Sequence, residues 1–160
     1  MTNREFYLKR RKAEFPVFVR VLQALPEDKM DYRPHERCSS ARQIAATLVG
    51  ELQSCVEAAT THRGEFVVPA PASHADTIAQ FEKSANELYD RVSQLSDSDW
   101  ERNAQFFYQG RMVNEQPLCD FLWMIHFDAI HHRGQLTSYL RPMGGKVPAI
   151  YGPSADERSM

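Results

Sequence analysis

From Ser39 or Ser40 to about Thr61, and again from about Gln116 to Leu140, the chain keeps a helical period for longer than any strand or turn permits. The first segment repeats through Ile44, Leu48, Leu52 and Cys55 or Val56. The second stops at Pro142 and Gly144-Gly145, which cannot continue a helix. Two more segments share the pattern. One covers roughly Asn3 to Leu25, with Phe15, Phe18 and Leu22 on one face and Pro16 either kinking it or marking its real start. The other lies in "TIAQFEKSANELYDRVSQL", where Ile78, Phe81, Leu88 and Val92 define a helix to about Leu95. Helices with one apolar stripe must bury it, and their simplest partners are one another. The pattern predicts an all-α four-helix bundle.

The connections are short and rich in turn-formers. "ALPEDKMDYRP" and the Pro-rich "HRGEFVVPAPASHAD" read as links, and residues 97 to 114 as the longest non-helical one. Within it, Phe106, Phe107 and Tyr108 before Gln109-Gly110 suggest a short hairpin or extended crossover ahead of the last helix. The tail "KVPAIYGPSADERSM" carries Ile150 and Tyr151 between two prolines, which predicts an extended strap on the bundle. No repeat or low-complexity tract divides the chain, so residues 1–160 are expected to form a single domain, with a core that needs neither disulfide nor structural metal.

Lys plus Arg number 19 against 21 acidic residues, a balance that gives no reason to expect nucleic acid or an anionic membrane as partner. A small-molecule substrate or another protein is expected instead. Cys38, Cys55 and Cys119 form no CxxC pair and leave one over, which suits a reducing cytoplasm. The N-terminal stretch has no apolar core of a signal peptide, and no run approaches a membrane span.

The stretch "HFDAIHHRGQL", residues 126 to 136, concentrates the chemistry. At about 100° per residue, with Asp128 at zero, His132 falls about 40° to one side, His131 about 60° to the other and His126 about 160° away. Phe121, Met124, Ile125, Gln135 and Tyr139 lie within about 60° of Asp128, so Asp128 and His132 are expected on the core-facing stripe. A buried carboxylate needs a partner, and an imidazole four residues on can share its ligand. The preceding candidate helix offers Thr47 and Glu51, again four apart. Glu51 is the only acid between Ser39 and Val56. A divalent ion such as zinc or nickel, or a metal-free hydrogen-bonded cluster with a nearby arginine, would each satisfy these groups.

The run "HHRGQLTSYLRPMGGKVPAIYGPSAD", together with "DYRPHERCSSARQIAATLVGEL" and the four-helix length, resembles the DinB-like (DinB/YfiT) superfamily of candidate metalloenzymes over nearly the whole chain. The resemblance implies an up-down-down-up four-helix bundle, often a homodimer, whose metal is held by one histidine of the second helix and an HxxxH pair of the fourth. Carried over by position, the last histidine is His132. Asp128 replaces the one before it, and Thr47 in "AATLVGEL" replaces the one in helix two. A threonine hydroxyl is a poor ligand for zinc or nickel. The resemblance therefore implies a degenerate, weakly ligated site, and relatives with intact sites use a metal to activate the thiol of a low-molecular-weight cofactor.

Two functions follow from these readings. One is a metal-dependent small-molecule enzyme, a thiol-dependent transferase or a hydrolase. The other is a non-catalytic ligand-binding or dimeric interaction module that has lost tight metal binding. Arg133 and Arg141 are read as ion-pair residues before anion ligands, Cys55 as a small buried hydrophobe, Tyr139 and Tyr151 as core or strap residues, and Gly134 as a place where another helix approaches closely.

Overall fold

The computed structural model describes residues 1–158. Helix α1 spans Asn3–Ala24, α2 Ala41–Thr61, α3 His74–Gln94, α4 Asp97–Glu101 and α5 Leu118–Leu140; strands β1, β2 and β3 span Arg63–Phe66, Asn103–Tyr108 and Arg111–Pro117. The four long helices lie close to where periodicity put them. Thr2 and Glu5 close a capping box on α1, and Ser40 and Gln43 close another on α2, each pair satisfying amides that the first helical turn leaves without partners. Pro16 lies inside α1, which runs through it unbroken.

The all-α four-helix class is corrected by the sheet. Strands β1, β2 and β3 form a three-stranded mixed sheet in that order, and the described residues include five α-helices. The hairpin does turn at Gln109-Gly110, both in the left-handed region (φ 52° and 73°), as a tight turn matching strand twist requires. What periodicity hid was β1. Its four residues sit in the segment read as a Pro-rich link, and they pair in parallel with β2, Arg63 opposite Gln105 through Phe66 opposite Tyr108. Such pairing across some forty residues leaves no local trace beyond a short β-prone run. The link from 97 to 114 is likewise not free of helix, because Ser96 caps the one-turn α4.

Among the long helices, α1 packs on α3 and α5, and α2 packs on α3 and α5, with the sheet lying against α2 and the start of α5. Close approach is built in at two glycines. A Cβ on Gly50 would collide with the Val67 carbonyl, and one on Gly64 would lie 2.7 Å from the Ser54 carbonyl, so α2 and the β1 segment meet backbone to backbone. Gly134 has no such reason: nothing lies within 4 Å of the position its Cβ would take, which corrects the expectation of a close helix there.

The tail forms the expected strap up to the last described residue. Ala149 is buried, and Val147 and Ile150 pack against the core. Glu157 accepts from Arg20 at 2.5 and 2.6 Å and from the Ala149 amide at 2.7 Å, while Arg141 pairs with Asp156 at 3.0 Å. Beneath it, Arg133 donates to Glu14 Oε2 and to the Tyr151 hydroxyl, both at 2.6 Å, and Tyr151 donates to Glu14 at 3.0 Å. Burial would raise the Glu14 carboxyl, but hydrogen bonds from Arg133 and Tyr151 and the charges of Arg133 and Arg10 outweigh it and hold it below the usual range. No helix among the described residues is long and apolar enough to cross a membrane.

Candidate metal centre

The buried face of α5 is not centred on the stripe of Phe121, Met124, Ile125, Gln135 and Tyr139. Leu118, Leu122, Ala129, Leu136 and Leu140 are buried, and so are His126 and Arg133, two polar residues omitted from the apolar stripe. The five apolar positions already centre that face about 100° around the helix from Asp128, and the two polar ones fall on the same side. Asp128 therefore stands at the rim, its side chain 52 % exposed, and His132 half-buried beside it at 21 %. From α2, Glu51 meets them from inside the bundle with its side chain only 4 % exposed.

One ligand atom from each of Glu51, Asp128 and His132 lies within 4.8 Å of the other two. His132 Nε2 is 3.6 Å from Glu51 Oε1 and 3.6 Å from Asp128 Oδ2, too long for a hydrogen bond. Two ligands bound at about 2.1 Å to one ion at a tetrahedral angle stand about 3.4 Å apart, so these spacings suit a shared cation. Nδ1 of His132 lies 2.8 Å from the Gln135 amide oxygen. With that oxygen accepting, Nδ1 carries the proton and Nε2 turns its lone pair to the carboxylates, the arrangement in which a metal-ligating imidazole is held by a second partner. Glu51 Oε2 is buried without a hydrogen-bond partner. Burial, reinforced by the neighbouring Asp128 carboxylate, pushes the Glu51 carboxyl up to about 9, against a smaller opposing effect of Arg11. An orphaned buried oxygen beside a second carboxylate and an imidazole lone pair fits an oxygen-and-nitrogen-binding divalent ion.

Thr47 stands half-buried one turn before Glu51 and supplies none of the three clustered atoms. His131 is exposed, along an open hollow with Met124, Phe127 and Asp128. His126 is buried on the far side of α5, where Nδ1 meets Arg11 Nη1 at 3.3 Å. Burial and the Arg11 charge hold the imidazole down at about 3, hence neutral. Arg133 is occupied by Glu14, Cys55 is buried with its thiol pushed up by burial, and the Tyr139 hydroxyl donates to the Ser39 carbonyl at 3.0 Å.

A cavity of about 240 Å³ adjoins the cluster, reaching Glu51 and Asp128. Its walls are Phe66 from β1, Phe106, Phe107 and Tyr108 from β2, Val113 from β3, and Phe121 and Ile125 from α5. A bulge between Phe106 and Phe107 sets them apart: Phe106 stacks on Phe121, while Phe107 lies under the Arg63 guanidinium. Sequence reasoning missed this wall because β1 was missed. It set Gln135 on the Asp128 face without pairing it to His132, although residues three apart on a helix are within hydrogen-bonding reach.

A helical bundle flanked by a small sheet is the fold this chain shares with DinB-like proteins. The chain belongs to the DinB family, whose model matches residues 2–159. No curated protein matches it. Among solved structures it is similar to a DinB-like protein from Bacillus cereus (23 % identity, TM-score 0.74, covering 92 % of this chain and 97 % of that one). It is also similar to one from Bacillus subtilis (15 %, TM-score 0.72, covering 96 % and 99 %). A third is a mycothiol-dependent maleylpyruvate isomerase (16 %, TM-score 0.53), of which the match covers 91 % of this chain and 64 % of that one. At these identities the likeness is one of fold.

Proposed function

We propose that the chain is a metal-dependent small-molecule enzyme in which Glu51, Asp128 and His132 hold one divalent ion and the aromatic-walled cavity takes the substrate. The buried Glu51 carboxyl, with Oε1 3.6 Å from His132 Nε2 and Oε2 without a hydrogen-bond partner, carries this reading. The fold shared with a thiol-dependent isomerase favours transfer or isomerisation assisted by a low-molecular-weight thiol over hydrolysis. A bound ion would supply Lewis acidity that lowers the pKa of a thiol or water. The remaining work falls to the protein. Gln135 keeps the His132 proton on Nδ1, Glu51 holds a proton until an ion displaces it, and Phe66, Phe106 and Phe107 exclude bulk water. One imidazole and two carboxylates bind zinc or nickel less tightly than three imidazoles, so Glu51, Asp128 and His132 would hold an ion weakly.

Protein purified without a histidine tag, stripped and titrated with zinc, nickel and manganese by calorimetry tests the reading. One ion per chain is expected, with Glu51→Gln and His132→Ala each weakening it at least tenfold. Unchanged affinity in both variants refutes it. The raised Glu51 carboxyl favours a second reading, a metal-free acid pair with Asp128 in a ligand-binding module. That reading stands if no ion binds while an apolar probe still fills the cavity. The free cysteines support a cytoplasmic location, which non-reducing electrophoresis of protein taken directly from cells would test by showing the thiols unoxidised.

A further inference from the structure

Of the charged side chains buried among the described residues, Glu14 and Arg133 pair with each other and Glu51 faces His132. Arg11, only 9 % exposed, pairs with nothing charged. Its hydrogen bond goes to Nδ1 of His126, which accepts as a neutral imidazole and brings no countercharge. No carboxylate oxygen among the described residues lies within 4.0 Å of it. A guanidinium withdrawn from water without a counterion is costly, and its fork of donors suits a carboxylate.

Arg11 lines a cleft of about 210 Å³ built from α1 and α3 alone, with Lys12, Phe15, Ala85, Asn86 and Tyr89. Lys12 and Asn86 are exposed, Phe15 is half-buried and stacked on Phe81, and Tyr89 borders the opening from α3. The cleft holds the volume of roughly seven waters, room for one small planar molecule. None of its walls belongs to α5, so it is separate from the Glu51 cluster.

We propose that this cleft binds a small organic anion, a carboxylate on a flat apolar body, with the carboxylate on Arg11, Lys12 adding attraction at the mouth, and the body against Phe15 and Tyr89. The inference does not depend on a metal, so the metal-stripped full chain is the right material and benzoate the probe. Calorimetry is expected to show one benzoate per chain with submillimolar affinity and no heat from benzylamine, its cationic counterpart. Inorganic phosphate is expected to bind at least tenfold more weakly than benzoate. Arg11→Met should weaken benzoate at least tenfold. Asn86→Trp, at an exposed position that fills the mouth, should abolish binding with the melting temperature unchanged, while Glu51→Gln should leave it intact. Absence of benzoate binding at millimolar concentration, or equal binding in the wild type and Asn86→Trp, overturns the proposal. So does phosphate binding as tightly as benzoate, which would mean a bare anion hole, or loss of benzoate in Glu51→Gln, which would place it at the cluster.

Discussion

Replacing Glu51 by glutamine should change how stability depends on pH more than stability at any one pH. Glutamine keeps the size and polarity of the neutral acid and cannot ionise. In the folded metal-free protein the carboxyl is pushed from 4.5 up to about 9. Between those values the folded chain keeps a proton that the unfolded chain has released, so stability falls as pH rises. The contribution is fully present below pH 4.5 and lost by about pH 9. Each pH unit in that window is worth about 1.4 kcal/mol, so from pH 5 to 8 the wild type should lose about 4 kcal/mol relative to Glu51→Gln. Urea denaturation of both stripped proteins at half-unit pH steps isolates the effect, because other titrating groups cancel in the difference. In melting temperature it amounts to about 10 °C for a chain of this size. An ion must displace the same proton, so wild-type metal affinity should climb about tenfold per unit up to pH 9. Parallel pH profiles for the two proteins would refute the assignment of Glu51 as a protonated buried acid.

Thr47→His should raise zinc or nickel affinity at least tenfold in calorimetry on stripped protein, because it adds an imidazole one turn from Glu51; no gain would mean that Thr47 does not face the cluster. Arg133→Met should cost about 3–5 kcal/mol in urea by stranding Glu14, with Glu14→Gln added to it restoring part of the loss. Gly50→Ala should destabilise by about 1–3 kcal/mol through its collision with the Val67 carbonyl, whereas Gly134→Ala, facing open space inside a helix, should stabilise by up to about 1 kcal/mol. Light scattering at micromolar concentration should show a homodimer of the 18.4 kDa chain, joined through the face bearing Phe127, 62 % exposed, and Met124; a monomer there would refute it.

The long helices were legible because their caps and apolar spacing are local: Ser40 starts α2 where the sequence marks a start, and Pro142 with the following glycines ends α5. The trio was legible because i,i+4 spacing fixes neighbours on a helix, and α2 and α5 do bring Glu51 to Asp128 and His132. The depth of each residue was not legible. Residue type alone counts histidine and arginine as outward-facing, yet His126 and Arg133 are buried by partners more than a hundred residues away in α1, on the face that Leu122, Ala129 and Leu136 share and that leaves Asp128 at the rim. The sheet was half-legible. Hairpin arms lie side by side in sequence and announce their turn, while β1 depends on a strand beyond two helices.

The strap ties α1 to a segment made long after it. Arg133 lies 4.6 Å from the ring of Phe18 and 5.2 Å from that of Tyr151, so a side chain of α5 is sealed between α1 and the strap that follows α5. Until Tyr151 emerges, one side of that ion pair stays wet and α1 lacks the Arg20 tether to Glu157. Closure of α1 on α5 therefore waits on a segment made after both helices. A nascent chain halted at Pro148 would show α1 more open to hydrogen exchange than the finished chain, and a bulky fusion grafted close behind Tyr151 would act as a wedge.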